Sequence, residues 1–243
     1  MRTTRIYVEL ALASGQEIVL PATQSSHLLR VLRLRPGAAL TVFNGRGGEY
    51  AAELIGTSKS GARLAVHGHA SVERESPLHL TLLQGIARGE RMDVIVQKAT
   101  ELGVQRIVPL SCEFSVVRLD AANRQRRVEH WRAVAIAACE QCGRNRLPEI
   151  ESIVDFAEAC AASGPELRLM LLPQAPESLA ALAPGLRRAL MLVGPEGGLS
   201  GREQLLAQRS GFRPCRLGPR ILRTETAPLA ALAALQALAG DLS

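Results

Sequence analysis

No apolar run in this sequence is long enough to cross a bilayer without a charge or a proline intervening, which argues against a helical membrane protein. The start, Met1-Arg2-Thr3-Thr4-Arg5, lacks the apolar core of a signal peptide and passes straight into strand-like residues. Cysteines number five, an odd count in 243 residues, which argues against a disulfide framework and for a reducing cytoplasmic setting. Cys139-Glu140-Gln141-Cys142 is half of a zinc site, but Cys112, Cys160 and Cys215 are isolated and His67 and His69 lie in another part of the chain. A structural zinc needs a second close pair, so the expectation is no metal and cysteines that pack as small apolar groups. No G-x-G-x-x-G opens a βαβ unit and no glycine-lysine phosphate loop is present, which removes the usual signals for nicotinamide and nucleoside triphosphates. No serine sits in a nucleophile elbow.

What is present suits a folded basic protein: 47% hydrophobic, 21% charged and a net charge of +6, much of the excess being arginine. Arginine forks suit phosphate recognition, although the charge alone does not identify a nucleic-acid partner. Residues 1–70 read mainly as short strands, Arg5 to Val8, Glu17 to Leu20, Leu40 to Phe43, Tyr50 to Ile55 and Arg63 to His69, with a hairpin signal at Asn44-Gly45-Arg46-Gly47-Gly48. Short strands at this spacing suggest a small barrel. One short helix, capped by Ser25 or Ser26, is expected over His27 to Arg33. The charged stretch Val72-Glu73-Arg74-Glu75-Ser76-Pro77 reads as a linker. Beyond it strands and helices alternate: Leu78 to Ile86, a helix from Glu90 to Leu102 stopped by Gly103, Val104 to Leu110, a long helix from Arg124 to Cys142, Leu167 to Leu172 and Ala189 to Val193. That alternation implies a parallel sheet covered by helices on both faces.

The densest signal runs from Arg188 to Gly240. The strand ending at Val193 breaks into Gly194-Pro195-Glu196-Gly197-Gly198, where residues without a Cβ let backbone groups lie directly against a ligand. Ser200 with Glu203 fits a capping box, which places those glycines between a strand end and a helix start, the usual ligand crevice of an open α/β sheet. Leu217-Gly218-Pro219-Arg220-Ile221-Leu222-Arg223-Thr224-Glu225-Thr226 then leads into a last helix, Pro228 to Ala239, uncharged on every side. A helix apolar all round is buried all round, either against a second subunit or in the chain's own core.

Together the segments Gly194 to Ser200 and Leu217 to Thr226 resemble the cofactor-binding knot of SPOUT-class RNA methyltransferases. The closest resemblance is to the family that methylates N3 of a uridine in 16S ribosomal RNA. The resemblance implies an α/β fold: a parallel-sheet SPOUT-type methyltransferase domain with a C-terminal trefoil knot, over residues 72–243, preceded by a small PUA-like β-barrel RNA-binding domain over residues 1–71. It implies S-adenosyl-L-methionine held in a bent form by Leu171, Leu172, Pro173, Gly194, Pro195, Glu196, Gly197, Gly198, Leu217, Gly218, Ile221, Leu222, Arg223, Thr224 and Thr226. His27 to Arg33 and Phe43 to Gly48 fit the family's PUA-like pattern, so Arg30, Arg33 and Arg35 are expected on RNA. Ala137 to Arg146 carries a further family match whose polar end faces substrate, giving Gln141, Arg144 and Arg146; Arg88 and Lys98 complete the expected RNA contacts. The family is generally homodimeric with sites at the interface, which favours a partner subunit as the cover of the last helix.

The chemistry assigns roles. S-adenosylmethionine carries an activated methyl group, so the protein must align uracil N3 and stabilise it once its proton leaves. An arginine fork at the flanking carbonyl oxygens acts like an oxyanion hole. Arg223 is the first candidate, followed by Arg88 and Arg144, with Glu196 or Glu225 as proton acceptor. Two rivals are a non-catalytic RNA-binding or ribosome-assembly factor with a degenerate knot, and a SPOUT enzyme methylating ribose in transfer RNA. The intact glycines with Arg223-Thr224-Glu225-Thr226 argue against the first, and the amino-terminal β domain against the second.

Overall fold

The structure, a computed structural model, describes residues 3–115, 120–161 and 167–242. It divides into two compact units, Met1–Glu75 with Cys139–Leu147, and Ser76–Ala138 with Pro148–Ser243. The sequence places its boundary between residues 71 and 72; in the structure Val72 to Glu75 group with the first unit, and so does the end of a long helix.

The first unit holds β1 (Thr4–Tyr7), β2 (Glu17–Val19), α1 (Ala22–Ser26), β3 (Ala39–Phe43), β4 (Glu49–Ser58) and β5 (Gly61–Ala70). Its five strands run in the order β1-β3-β4-β5-β2. All pairs are antiparallel except β1 with β3. Alternate residues turn inward, so Ile6, Ile18, Val42, Leu54 and Leu64 form one core. The expected hairpin between β3 and β4 is present: Gly45, Gly47 and Gly48 have φ of 78°, 96° and 67°, and the Asn44 side chain accepts from the Arg46 N–H.

The helix expected over His27 to Arg33 is placed differently. It begins at Ala22, after Pro21, and passes into a π-helical turn over His27–Val31. The Ser25 hydroxyl, expected as a cap, is buried; it donates to the Leu20 carbonyl and accepts from the Ala62 N–H, both at 2.9 Å. Its hydroxyl therefore ties α1 to β5, and Pro21, whose φ of −54° already suits a helix start, opens the helix.

The second unit runs β6 (His79–Gly85), α2 (Arg91–Glu101), β7 (Arg106–Ser111), α3 (Ala121–Cys142), β8 (Glu149–Ile150), β9 (Val154–Asp155), α4 (Phe156–Ala161), β10 (Leu167–Leu171), β11 (Glu177–Ser178), α5 (Leu179–Leu182), β12 (Arg188–Val193), α6 (Gly201–Arg209), β13 (Arg213–Arg216) and α7 (Thr226–Ala239). The last four residues of α3 group with the first unit. The sheet order is β11-β13-β10-β12-β6-β7-β8, with β9 also on β7, and the pairs are parallel. Central strands are buried on both faces, as their unbroken apolar runs require. One face carries α2, α3, α5 and α7 over a core that includes Met92, Ile95, Trp131, Leu179 and Leu232. The other carries α4 and α6 over Phe156, Ala159, Ala207 and Phe212. Met92, Ile95, Val96 and Ala99 form the buried apolar stripe of α2, and Gly103, with φ of 80°, ends it as expected. β8, β9, β11 and β13 are strands of two to four residues that carry little periodicity to read.

Helix α7 answers part of its own question. Ala231, Leu232 and Leu235 are completely buried in this chain's core. Gln236, also buried, accepts from the Ser76 hydroxyl at 2.6 Å and donates to the Leu102 carbonyl at 2.8 Å. Burial gives out toward the helix's end, for Leu238, one turn beyond Leu235 on the same face, is 52% exposed.

Candidate active site

The site forms where the strand order reverses. β6 lies between β7, which follows it in the chain, and β12, which returns from far along it. Such switch points open a crevice beyond the carboxyl ends of the strands. The chain leaves β12 through Gly194 to Gly198 and reaches Ser200, whose hydroxyl accepts from the Glu203 N–H while the Glu203 carboxylate accepts from the Ser200 N–H. The capping box is therefore as the sequence reads it, and the same carboxylate also accepts from the Glu113 N–H. Gly85, the last residue of β6, passes so near this loop that a Cβ there would stand 2.5 Å from Pro195 Cδ. A Cβ on Gly197 would stand 2.7 Å from that of Phe114. Gly198 has φ of 72° and donates to the Pro195 carbonyl, closing the turn.

The second loop, Leu217 to Thr226, packs against the first. The hydroxyl of Thr224, a buried residue, donates to the Gly194 carbonyl at 2.9 Å. Between the two loops and the end of β10 lies a cavity of about 560 Å³. Leu171, Leu172, Pro173, Val193, Leu199, Leu217, Ile221, Leu222 and Ala227 give it apolar walls, the Gly194, Pro195 and Gly198 backbone lines its floor, and Arg91, Glu196, Arg220, Arg223, Thr224 and Glu225 supply its polar groups. Of the expected cofactor contacts, Gly197, Gly218 and Thr226 do not line it. Cys215 does, but burial pushes its thiol up to about 12, so it meets the cavity as a neutral packing group.

Charge in the cavity is arranged around Arg91, the first residue of α2. Its Nη1 meets Glu196 Oε1 at 2.8 Å and its Nε lies 3.7 Å from Glu225 Oε2. Glu196 Oε1 also accepts from the Arg88 N–H at 2.8 Å. Burial alone would raise the Glu196 carboxyl, but the Arg88 N–H and the Arg91 guanidinium outweigh it and hold that carboxyl below its ordinary value. Arg220 and Arg223 are exposed at the same cavity, and neither makes an ion pair among the described residues. Sequence reasoning passed over Arg91. The available signal was a cation in the first turn of a helix, where the macrodipole disfavours it unless anions stand nearby.

The expected RNA contacts have different surroundings. Arg30, Arg33 and Arg35 are exposed and make no ion pair among the described residues, and Arg33 has φ of 53°. Arg88 is exposed and joined to the cavity through its backbone. Lys98 pairs with Glu101 at 2.8 Å, Gln141 is exposed, and Arg146 meets Glu73 at 2.9 Å. Arg144 is only 3% exposed and grips Glu75 with two nitrogens, at 2.9 and 2.6 Å. Its fork, expected on RNA, is engaged with a carboxylate of this chain. Cys139 and Cys142 lie a turn apart; Cys142 and burial both raise the Cys139 thiol, which donates to the Arg146 carbonyl.

Two family models match the chain, one described as an RNA methyltransferase domain over residues 74–236 and one as an RNA methyltransferase PUA domain over residues 20–66. The chain is 33% identical over 243 residues to ribosomal RNA small subunit methyltransferase E of Buchnera aphidicola subsp. Schizaphis graminum, covering 100% of this chain and 99% of that one. It is 30% identical over 244 residues to the protein of the same name from Bacillus subtilis, covering 95% of each. Among solved structures it is similar to ribosomal RNA small subunit methyltransferase E from Neisseria gonorrhoeae bound to S-adenosyl methionine, with a TM-score of 0.92, 37% identity and 100% of both chains covered. It is similar also to a Legionella pneumophila methyltransferase in complex with bound SAM, with a TM-score of 0.95, 38% identity and 100% of both chains covered.

Proposed function

The chain belongs to the ribosomal RNA small subunit methyltransferase E family, and we propose from that premise that it methylates N3 of one uridine in 16S ribosomal RNA. It is an S-adenosylmethionine-dependent methyltransferase of small-subunit ribosomal RNA, with an RNA methyltransferase domain joined to a PUA domain. The observation that carries the reading is the cavity walled by both glycine-bearing loops and tied by the Thr224 to Gly194 bond.

The residues present fit the cofactor. The cavity volume of about 560 Å³ suits a nucleoside-sized ligand. Leu171, Leu172, Leu217 and Leu222 offer apolar faces to an adenine ring, while the bare backbone at Gly194 and Gly198 offers hydrogen-bonding groups. When bound there, S-adenosylmethionine supplies an activated methyl group, and methyl transfer to nitrogen needs no protein nucleophile. The remaining work falls to side chains. Arg223 stabilises the negative charge that spreads onto the uracil carbonyl oxygens as the N3 proton leaves. Of the two carboxylates, Glu196 is held by the Arg88 N–H and Arg91, whereas Glu225 has the longer contact, 3.7 Å, and is the better proton acceptor.

The rest of the reading follows the same inference. The amino-terminal unit, with exposed Arg30, Arg33 and Arg35, supplies affinity for RNA phosphate. The trefoil knot that the family resemblance implies would lie at these two loops. The enzyme works as a cytoplasmic homodimer, without metal, through the carboxyl-terminal end of α7 that carries Leu238. Mass mapping of ribosomal RNA nucleosides, with and without the protein, tests the assignment. A methyl group on uracil N3 is expected; a ribose methyl or an unchanged map overturns it. Calorimetry with S-adenosylmethionine separates an enzyme from a non-catalytic RNA-binding factor, which would show no cofactor affinity.

A further inference from the structure

We propose that Arg91 is a positioning residue, holding the two loops of the cofactor cavity together by sharing one guanidinium between Glu196 and Glu225. The inference takes from the methyltransferase reading only the identity of what fills the cavity.

Glu196 belongs to the loop that leaves β12, and Glu225 to the loop that enters α7. The two loops are far apart in sequence, and Arg91 is on a third element. Its Nη1 lies 2.8 Å from Glu196 and its Nε 3.7 Å from Glu225, so different nitrogens of one planar fork address the two carboxylates. A lysine ammonium, a point charge, does not reproduce that geometry. The position also runs against local preference: α2 presents its positive end at Arg91, where a cation is unfavourable unless anions offset it. Glu196 and Glu225 are those anions.

The other charges facing this cluster leave the task to Arg91. Arg88 reaches Glu196 through its main-chain N–H, and Arg220 and Arg223 form no ion pair among the described residues. Without Arg91 two carboxylates would face one cavity with their only ion-pair partner among the described residues removed, and the Thr224 to Gly194 bond would be the remaining polar tie between the loops. Like charges sharing a site repel, and that repulsion acts directly across the seam.

Hydrogen–deuterium exchange on the cofactor-free full chain tests this, following residues 194–200 and 217–227 in wild type, Arg91→Ala, Arg91→Lys and Arg91→Ala with Glu225→Gln. Arg91→Ala should speed exchange in both loops about tenfold, the scale of one partly exposed charge-assisted contact. Glu225→Gln in that background removes the repulsion and should return most of the protection, whereas a role of Arg91 in packing alone predicts no recovery. Arg91→Lys should loosen the Glu225 loop more than the Glu196 loop, and it serves as the decisive variant if the alanine form fails to fold. Calorimetry should show S-adenosylmethionine affinity falling about tenfold in Arg91→Ala and recovering in the double variant, in step with exchange. Unchanged exchange in Arg91→Ala, or no recovery in the double variant, overturns the proposal. Failure of the wild type to bind S-adenosylmethionine would overturn the functional reading instead, and the exchange comparison would still decide what Arg91 does.

Discussion

Two groups of arginines, one in each unit, have opposite situations. In the first unit four of them are engaged with carboxylates and carbonyls: Arg5 meets Glu49 and Asn145, each at 2.6 Å, and Arg74 reaches Glu49 at 3.1 Å and the Gly143 carbonyl at 2.9 Å. Arg144 grips Glu75 and Arg146 pairs with Glu73. Burial would raise the Glu49 carboxyl, but its bonds to Arg5 and Arg74 dominate and hold it below its ordinary value. Around the cavity of the second unit, Arg91 is engaged while Arg220 and Arg223 stand exposed without ion pairs among the described residues. The same residue type thus fastens Glu49, Glu73 and Glu75 in one place and is left available at Arg220 and Arg223 in another. A net charge of +6 counts both kinds alike.

The contrast is broken most severely at Arg144. Replacing it with methionine keeps much of the volume and leaves Glu75 without its bidentate partner, and breaking a buried pair in that way costs about 3–5 kcal/mol. Urea unfolding should show that loss, while folded protein keeps its turnover. Normal stability with lost turnover would move Arg144 back among the substrate contacts.

Arg223 gives the next effect. Arg223→Ala should lower turnover about a hundredfold, or about 2.7 kcal/mol, the scale of a lost oxyanion donor. Cofactor and RNA dissociation constants should change little. Lysine, with charge but no planar fork, should rescue only in part. Glu196 and Glu225 pair with Arg91, not with Arg223. A joint loss of cofactor affinity, thermal stability and turnover would still overturn the catalytic assignment.

The fate of these arginines also shows how far the sequence could be read. The alternation of strands and helices, the stripe of α2, the capping box at Ser200 and the loops around the cavity follow from local rules, because periodicity, caps and glycine act over a few residues. The grip of Glu75 on Arg144 and the bridge from Arg91 to Glu196 and Glu225 join residues distant in the chain, and no spacing encodes them. Helix α7 shows the same limit: its composition says that it is buried, while only the packing shows that Leu232 and Leu235 lie in the chain's own core. Lysine at those two positions would unfold the protein, so a probe of the inferred dimer belongs at Leu238, where lysine should yield monomers in light scattering.

A smaller effect is expected at the exposed arginines of the first unit. Arg30→Ala with Arg33→Ala should weaken RNA binding and make the slope of log affinity against log salt shallower by about 1.4, or about 0.7 for each lost contact to single-stranded phosphate. S-adenosylmethionine affinity should not move. An unchanged slope would place these two arginines beside Arg144, as structural residues.

The smallest effect sharpens the contrast from the carboxylate side. Glu49, Glu73 and Glu75 face arginines, whereas Glu140 accepts the Tyr7 N–H at 2.9 Å and makes no ion pair among the described residues. Burial raises its carboxyl above the ordinary value, and the Tyr7 N–H, His27 and Arg5 offset that only in part. The folded state therefore binds this proton more tightly than the unfolded chain does. Stability contributed by this group falls as pH rises from the ordinary carboxylate value through the raised one, and returns as pH falls. Glu140→Gln keeps an oxygen for the Tyr7 N–H and has no proton to lose. It should be more stable than the wild type at pH 8, with the difference shrinking toward pH 5. Thermal unfolding of both forms across that range measures the difference, and a gain for glutamine that grows as pH falls would show that an arginine holds Glu140 after all.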